Sequence, residues 1–233
     1  MDRNGNVYTF IYAAIMVIIV AAVLASVSMA LRPLQTRNSE IEKKQSFLAS
    51  VNIPSSTDDA SGIYSEKIQE QYVVNSEGEI MEGEDAFEID LKKQSAKPPD
   101  KRLLPVYECL TEDGLKYIFP LRGSGLWGPI WGYVSLNSDM NTIYGANFDH
   151  QGETPGLGAE ISTESFESSF KGKKLFDESG NLVSIKVIKA GREADEEHSV
   201  DGISGGTITS KGLEKMLLDD FKSYKEFLIK KKS

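Results

Sequence analysis

Between Tyr8 and Leu31 lie 24 consecutive residues without a charged side chain, and this run limits what the chain can fold into more than any other feature. At about 1.5 Å per residue, a helix of that length crosses the hydrocarbon core of a bilayer with some tilt. Such a helix satisfies its own backbone polar groups and needs no partner in lipid. Ser28-Met29-Ala30 resembles a small-residue cleavage site, which leaves a removable signal peptide as the alternative. The run is longer than the about 7–15 apolar residues of a signal peptide, and its leading flank is barely basic. The expectation is therefore an uncleaved single-pass anchor over residues 8–31. Arg32, Arg37, Lys43 and Lys44 follow it, against Arg3 and the amino group before it. Counting bases alone would place the bulk of the chain in the cytoplasm.

The chain has 233 residues, and Asp2 and Arg3 are the sole charges up to Leu31, so the whole net charge of −9 falls on the remainder. An acidic body argues against nucleic acid as a partner, because phosphate contacts require clustered cations. The single cysteine, Cys109, rules out an internal disulfide and a cysteine-held iron–sulfur cluster. Its neighbours Leu104, Tyr107 and Leu110 predict a buried, structural thiol. His150 and His198 lack a partner at zinc-like spacing, so no metal site is expected. No Walker sequence occurs, nor a Gly-x-Gly-x-x-Gly after a strand.

Residues 32–102 read as a membrane-proximal helix (Asn38 to Val51) followed by a charged, partly mobile segment. An acidic stretch from Glu77 to Glu88 precedes a basic one from Lys92 to Arg102, and such runs pack poorly. Residues 103–233 have the composition of a folded domain. Leu103–Leu110 and Leu115–Leu121 flank Thr111-Glu112-Asp113-Gly114, a hairpin signature. Gly132–Asn137 and Thr142–Phe148 form a second candidate pair, Leu182–Lys189 a further strand, and Thr163–Lys171 a short helix. A last helix carries Leu213, Met216, Leu217, Phe221, Tyr224 and Leu228 on one face. The surplus of hairpins predicts an α+β fold, an antiparallel sheet with flanking helices, preceded by one transmembrane helix.

Three glycine-rich segments punctuate this domain: Gly123–Gly132, Gly152–Gly158 (Gly-Glu-Thr-Pro-Gly-Leu-Gly) and Asp201–Thr209 (Asp-Gly-Ile-Ser-Gly-Gly-Thr-Ile-Thr). Taken singly, each reads as a tight turn. The last opens directly onto the amphipathic helix, so backbone amides and the helix dipole there favour an anion, and threonine hydroxyls sit in the same turn. Trp127 and Trp131 offer flat apolar surfaces.

In combination these segments are specific. One N-terminal anchor, then Gly125-Leu126-Trp127-Gly128, then Gly152-Glu153-Thr154-Pro155-Gly156-Leu157-Gly158, then Ser204-Gly205-Gly206-Thr207-Ile208-Thr209 follow one another. In this the chain resembles the C-subunit family of sodium-translocating NADH:quinone oxidoreductases and, more loosely, the flavoprotein subunit of Rnf complexes. The resemblance covers nearly the whole chain and is weakest over 55–101. It implies an FMN-binding domain with FMN joined as a phosphoester to Thr209, the last threonine of the pattern Ser-Gly-Ala-Thr-x-Thr. Gly206 stands where that pattern has alanine. Ser204, Gly205, Gly206 and Thr207 are expected to shape the phosphate turn, and Glu153, Thr154, Leu157, Gly158 and Trp127 to lie at the ring. No residue is expected to act as a catalytic acid or base.

The resemblance further implies a separate flavin transferase for maturation, partner subunits that pass electrons from NADH to ubiquinone, and the bacterial inner membrane as location. It places the flavin domain on the outer, periplasmic side, against the base count. Long domains translocate largely regardless of charge, which favours the outer side. The alternatives are the Rnf-type flavoprotein and an anchored ligand-binding module without redox chemistry.

Overall fold

A computed structural model describes residues 5–189 and 195–232. The chain divides into two compact units, one ending at Lys43 and one beginning at Lys44. Helix α1 (Asn6–Ser50) holds one stretch long and apolar enough to cross a membrane. Its side chains there are bare, with Val17 and Ile18 each 66% exposed, a row of apolar surface that water does not favour. The separate helix expected from Asn38 is instead the continuation of α1, and Pro33 removes one of its backbone hydrogen bonds without ending it.

The second unit is built on a six-stranded antiparallel sheet ordered β2-β1-β3-β4-β5-β6. Its strands are β1 (Ile68–Val74), β2 (Ile80–Met81), β3 (Leu104–Thr111), β4 (Gly114–Ser124), β5 (Pro129–Asn137) and β6 (Ile143–His150). The β3–β4 hairpin turns through Glu112-Asp113, where Gly114 takes φ +91°. Both anticipated pairs are present. Between them β4 and β5 run in register from Lys116↔Asn137 to Ser124↔Pro129, which carries both strands to the glycine turn at 125–128.

Alternation along the strands gives the sheet two buried faces. On one, Tyr117, Phe119, Leu121, Ile130 and Val134 meet α5 (Thr207–Lys232), with the Phe119 ring 5.0 Å from Tyr224 and 6.0 Å from Phe221. On the other, Phe47 packs between Tyr107 and Tyr133 at 4.4 and 4.3 Å. Ser135 Oγ donates to the Ser50 carbonyl at 2.5 Å, so the last turn of α1 belongs to this core. Cys109 lies fully buried, and burial pushes its thiol up to about 11.

The charged segment departs most from expectation. Residues 60–67 form α2 (Ala60–Lys67), and β1 joins the sheet by pairing with β3 and β2. Tyr72, Val73 and Val74 are buried, and Arg102 donates to Ser223 Oγ at 3.3 Å, so the region folds onto the body instead of remaining solvated. Leu182–Lys189 is also shorter than expected as a strand. Ser184 adopts φ 58°, which ends the extended run, and only β7 (Lys186–Ile188) remains, pairing in parallel with β8 (Ser199–Asp201). Of Thr163–Lys171, residues Glu164–Ser168 form the short helix α4, and Leu91–Ser95 form α3 earlier in the chain.

Helix α5 is tied to β4 by Asp220, whose Oδ2 accepts from the Arg122 amide at 2.8 Å. Burial raises this carboxyl to about 7 from 3.8, partly countered by that bond and by Arg102. Between those values the unfolded chain releases the proton while the folded chain keeps it, so folding stability falls as pH rises. Asp220→Asn keeps an acceptor and removes the ionisation. Its melting temperature relative to the parent should therefore increase between about pH 4.5 and about pH 8, a range set by that window. An offset that stays constant with pH would contradict this assignment.

Candidate functional site

The three glycine-rich segments converge on the start of α5. Gly212, one turn inside that helix, faces the end of β4, where an added Cβ would overlap the Ser124 carbonyl. Gly123 is equally constrained, with Met216 Cβ 2.7 Å from where its own Cβ would stand. A glycine within a helix costs about 1 kcal/mol relative to alanine, so its presence marks a close approach of backbones. Gly205, at φ +75°, forms the turn before the helix, and a Cβ on it would lie 2.5 Å from Leu157.

Where the segments meet, Thr209 and Glu153 face each other. Thr209 is 1% exposed and Glu153 5% exposed. Thr209 Oγ1 donates to Glu153 Oε2 at 2.5 Å, and the Trp127 amide donates to Glu153 Oε1 at 2.8 Å. The Glu153 amide in turn donates to His150 Nδ1 at 3.2 Å. One carboxylate thus joins all three segments. Gly125 and Gly158 make room for it, since a Cβ at Gly125 would stand 2.5 Å from Oε1 and one at Gly158 would overlap Oε2.

The remaining expected residues divide between this buried contact and the surface around it. Gly206 and Gly158 are buried, while Thr154, Ser204, Gly205 and Thr207 are exposed. Trp127 is 69% exposed, and Leu126, Leu157 and Ile208 are likewise uncovered. Glu153, expected at the ring, points inward to Thr209. Leu126, Ile208, His150 and Gly212 belong to this region without having been singled out as site residues. Gly212 carried a legible signal, a glycine amid an otherwise strong helical face. A cleft of about 910 Å³ opens at the helix start, lined in part by Lys186, Lys189, Ser204, Thr207 and Ser210.

This arrangement has a hydroxyl at the first turn of a 26-residue helix, whose leading amides have no partner within the helix. Glycines bring backbone close to it, and the exposed side chains of Trp127, Leu157 and Ile208 belong to the segments that meet there. Such a site suits a phosphate carrying a flat, partly apolar group. Among the described residues, no group of His, Cys, Asp and Glu could hold a metal ion.

If Gly158 is a glycine because the Glu153–Thr209 contact fills its Cβ space, Gly158→Ala should lower stability by about 1–3 kcal/mol, the usual cost of overpacking. Thermal or denaturant unfolding of the full chain in detergent measures this. A variant as stable as the parent would show that the contact yields freely.

Comparison with known proteins places the chain in a family. The model of the FMN-binding domain family matches residues 125–219, which takes in the second and third segments whole and the first from Gly125 onward. The C-subunit of the Na(+)-translocating NADH-quinone reductase of Vibrio vulnificus is 31% identical over 213 residues, covering 84% of this chain and 83% of that protein. The Neisseria meningitidis protein of the same description is 32% identical over 231 residues, covering 91% and 88%. Among solved structures, the C-subunit from Parabacteroides distasonis is 48% identical with a TM-score of 0.79, covering 85% of this chain and 96% of that one. The Shewanella oneidensis NqrC structure is 25% identical with a TM-score of 0.71, covering 83% and 97%. The chain belongs to the NqrC family, the C-subunits of the Na(+)-translocating NADH-quinone reductase.

Proposed function

We propose that this chain carries FMN covalently, as a phosphoester on Thr209 Oγ1, and serves as a membrane-anchored electron carrier. It is the FMN-binding subunit of a multi-subunit, Na+-translocating NADH-quinone reductase. The observation that carries the attachment reading is the setting of Thr209. Of the two threonines in the turn, its hydroxyl is the one directed into the junction of all three glycine segments. Ser204, Gly205, Gly206 and Thr207 form the turn that would receive the phosphate, where amides and helix dipole favour negative charge. Gly206 in place of the pattern's alanine removes a methyl that would sit 3.0 Å from Ile203 Cγ2, and leaves the turn intact.

The exposed side chains of Trp127, Leu157 and Ile208 supply apolar surface for the ring, and Thr154, also exposed, accepts from the Leu157 amide through its carbonyl. Bound FMN supplies the electron-carrying chemistry, and the chain supplies its position, its hydrogen bonds and its exposure. The chain shows no dinucleotide fingerprint, so NADH and quinone are handled by partner subunits. The domain arrangement we favour is an anchor over 8–31 and a flavin-carrying domain outside the membrane on the periplasmic side. A separate flavin transferase would install the cofactor there.

Thr209→Val keeps the shape of the side chain and removes the acceptor oxygen. Produced together with a flavin transferase, it should show no flavin surviving denaturation, while the parent chain gains the mass of FMN less water. Covalent flavin retained in the variant would refute Thr209 as the attachment residue.

A further inference from the structure

We propose that the Glu153 carboxylate is the base that activates Thr209, and that this carboxylate, and not exposure, selects Thr209 over Thr207. The inference rests on the reading of Thr209 as the attachment residue. Exposure alone would favour the other hydroxyl, because Thr207 lies at the surface while Thr209 is 1% exposed. Among the described residues, no carboxylate hydrogen-bonds Thr207, whereas Thr209 Oγ1 donates directly to Glu153 Oε2. An alcohol is a weak nucleophile until a neighbouring base takes its proton as the new bond forms.

Glu153 is held for that task from two further directions. Its Oε1 is occupied by the Trp127 amide and its own amide by His150 Nδ1, which leaves Oε2 to face Thr209. Gly125 and Gly158 pack directly against the carboxylate, and a Cβ at either position would run into its oxygens.

In the transfer step, Thr209 Oγ1 forms a bond to the phosphorus of the flavin mononucleotide unit, and its proton passes to Glu153 Oε2. The bond that breaks is the phosphoanhydride of a flavin dinucleotide donor on the transferase, and the nucleoside monophosphate leaves with the electron pair. No group is oxidised or reduced. The esterified oxygen can no longer donate, and the protonated carboxyl now supplies the hydrogen for this contact.

The test uses the purified full chain in detergent, a flavin transferase and flavin adenine dinucleotide, followed by intact mass over time and by peptide mapping. Glu153→Gln keeps the size and an acceptor but cannot take the proton, so attachment should slow by about a hundredfold or more. Glu153→Asp keeps a displaced carboxylate and should react faster than the Gln variant, a rescue that loop geometry alone would not produce. A Gln variant within about twofold of the parent rate, or as fast as the Asp variant, overturns the proposal, since a base contributes far more. Should either variant unfold, thermal unfolding reveals it, and Thr209→Val with Glu153 intact then decides. Thr207, which has no carboxylate partner among the described residues, should take no flavin there, and flavin attached to Thr207 at a rate near the parent's would overturn the proposal. Failure of the underlying reading looks different, because the parent chain itself would then carry no flavin, or carry it away from Thr209.

Discussion

Helix α5 can lie directly on the end of the β4–β5 ribbon because Gly212 and Gly123 present no side chain there, and the rest of the site follows from that approach. A Cβ on Gly212 would collide with the Ser124 carbonyl, and one on Gly123 would press into Met216. With the helix held this close, its first turn reaches the loops that leave β4 and β6. Thr209 is then within hydrogen-bond distance of Glu153, which lies 56 positions earlier in the chain. The apolar face behind it, from Leu213 to Leu228, fixes the helix against the sheet by burial. The site therefore depends on the core for its geometry, and the core admits two backbones at unusually short range.

Polar groups then close what packing begins. Glu153 links the three glycine segments through two acceptor oxygens, and Asp220 fastens α5 to β4 through the Arg122 amide. Each carboxyl group is removed from water and would be costly without these donors. Tyr224 adds a third link, its hydroxyl donating to the Pro105 carbonyl at 2.9 Å on the neighbouring strand.

Much of this is legible in the residues alone. The hairpin through Glu112-Asp113 and the stripe on α5 follow from local periodicity, and both appear where the residue pattern puts them. Residues 60–74 are not legible in this way, because β1 exposes Gln69, Glu70 and Gln71 and buries only its last three residues. Its membership of the sheet comes from backbone pairing with β3, which leaves no mark in side-chain hydropathy. Ser184 illustrates the reverse case, since one left-handed residue breaks an alternating apolar run. At the site, the glycines and threonines announce a close approach to something, but the inward turn of Glu153 toward Thr209 is a tertiary contact that spacing cannot encode.

The central claim is that Thr209 bears the flavin. Tandem mass spectrometry on peptides from the mature, membrane-extracted chain tests it most directly. The account predicts the added mass of FMN less water on the fragment containing Thr209, with Thr207 unmodified. Flavin found on Thr207 or elsewhere, or a fully unmodified Thr209 in chain that is yellow after denaturation, would contradict it.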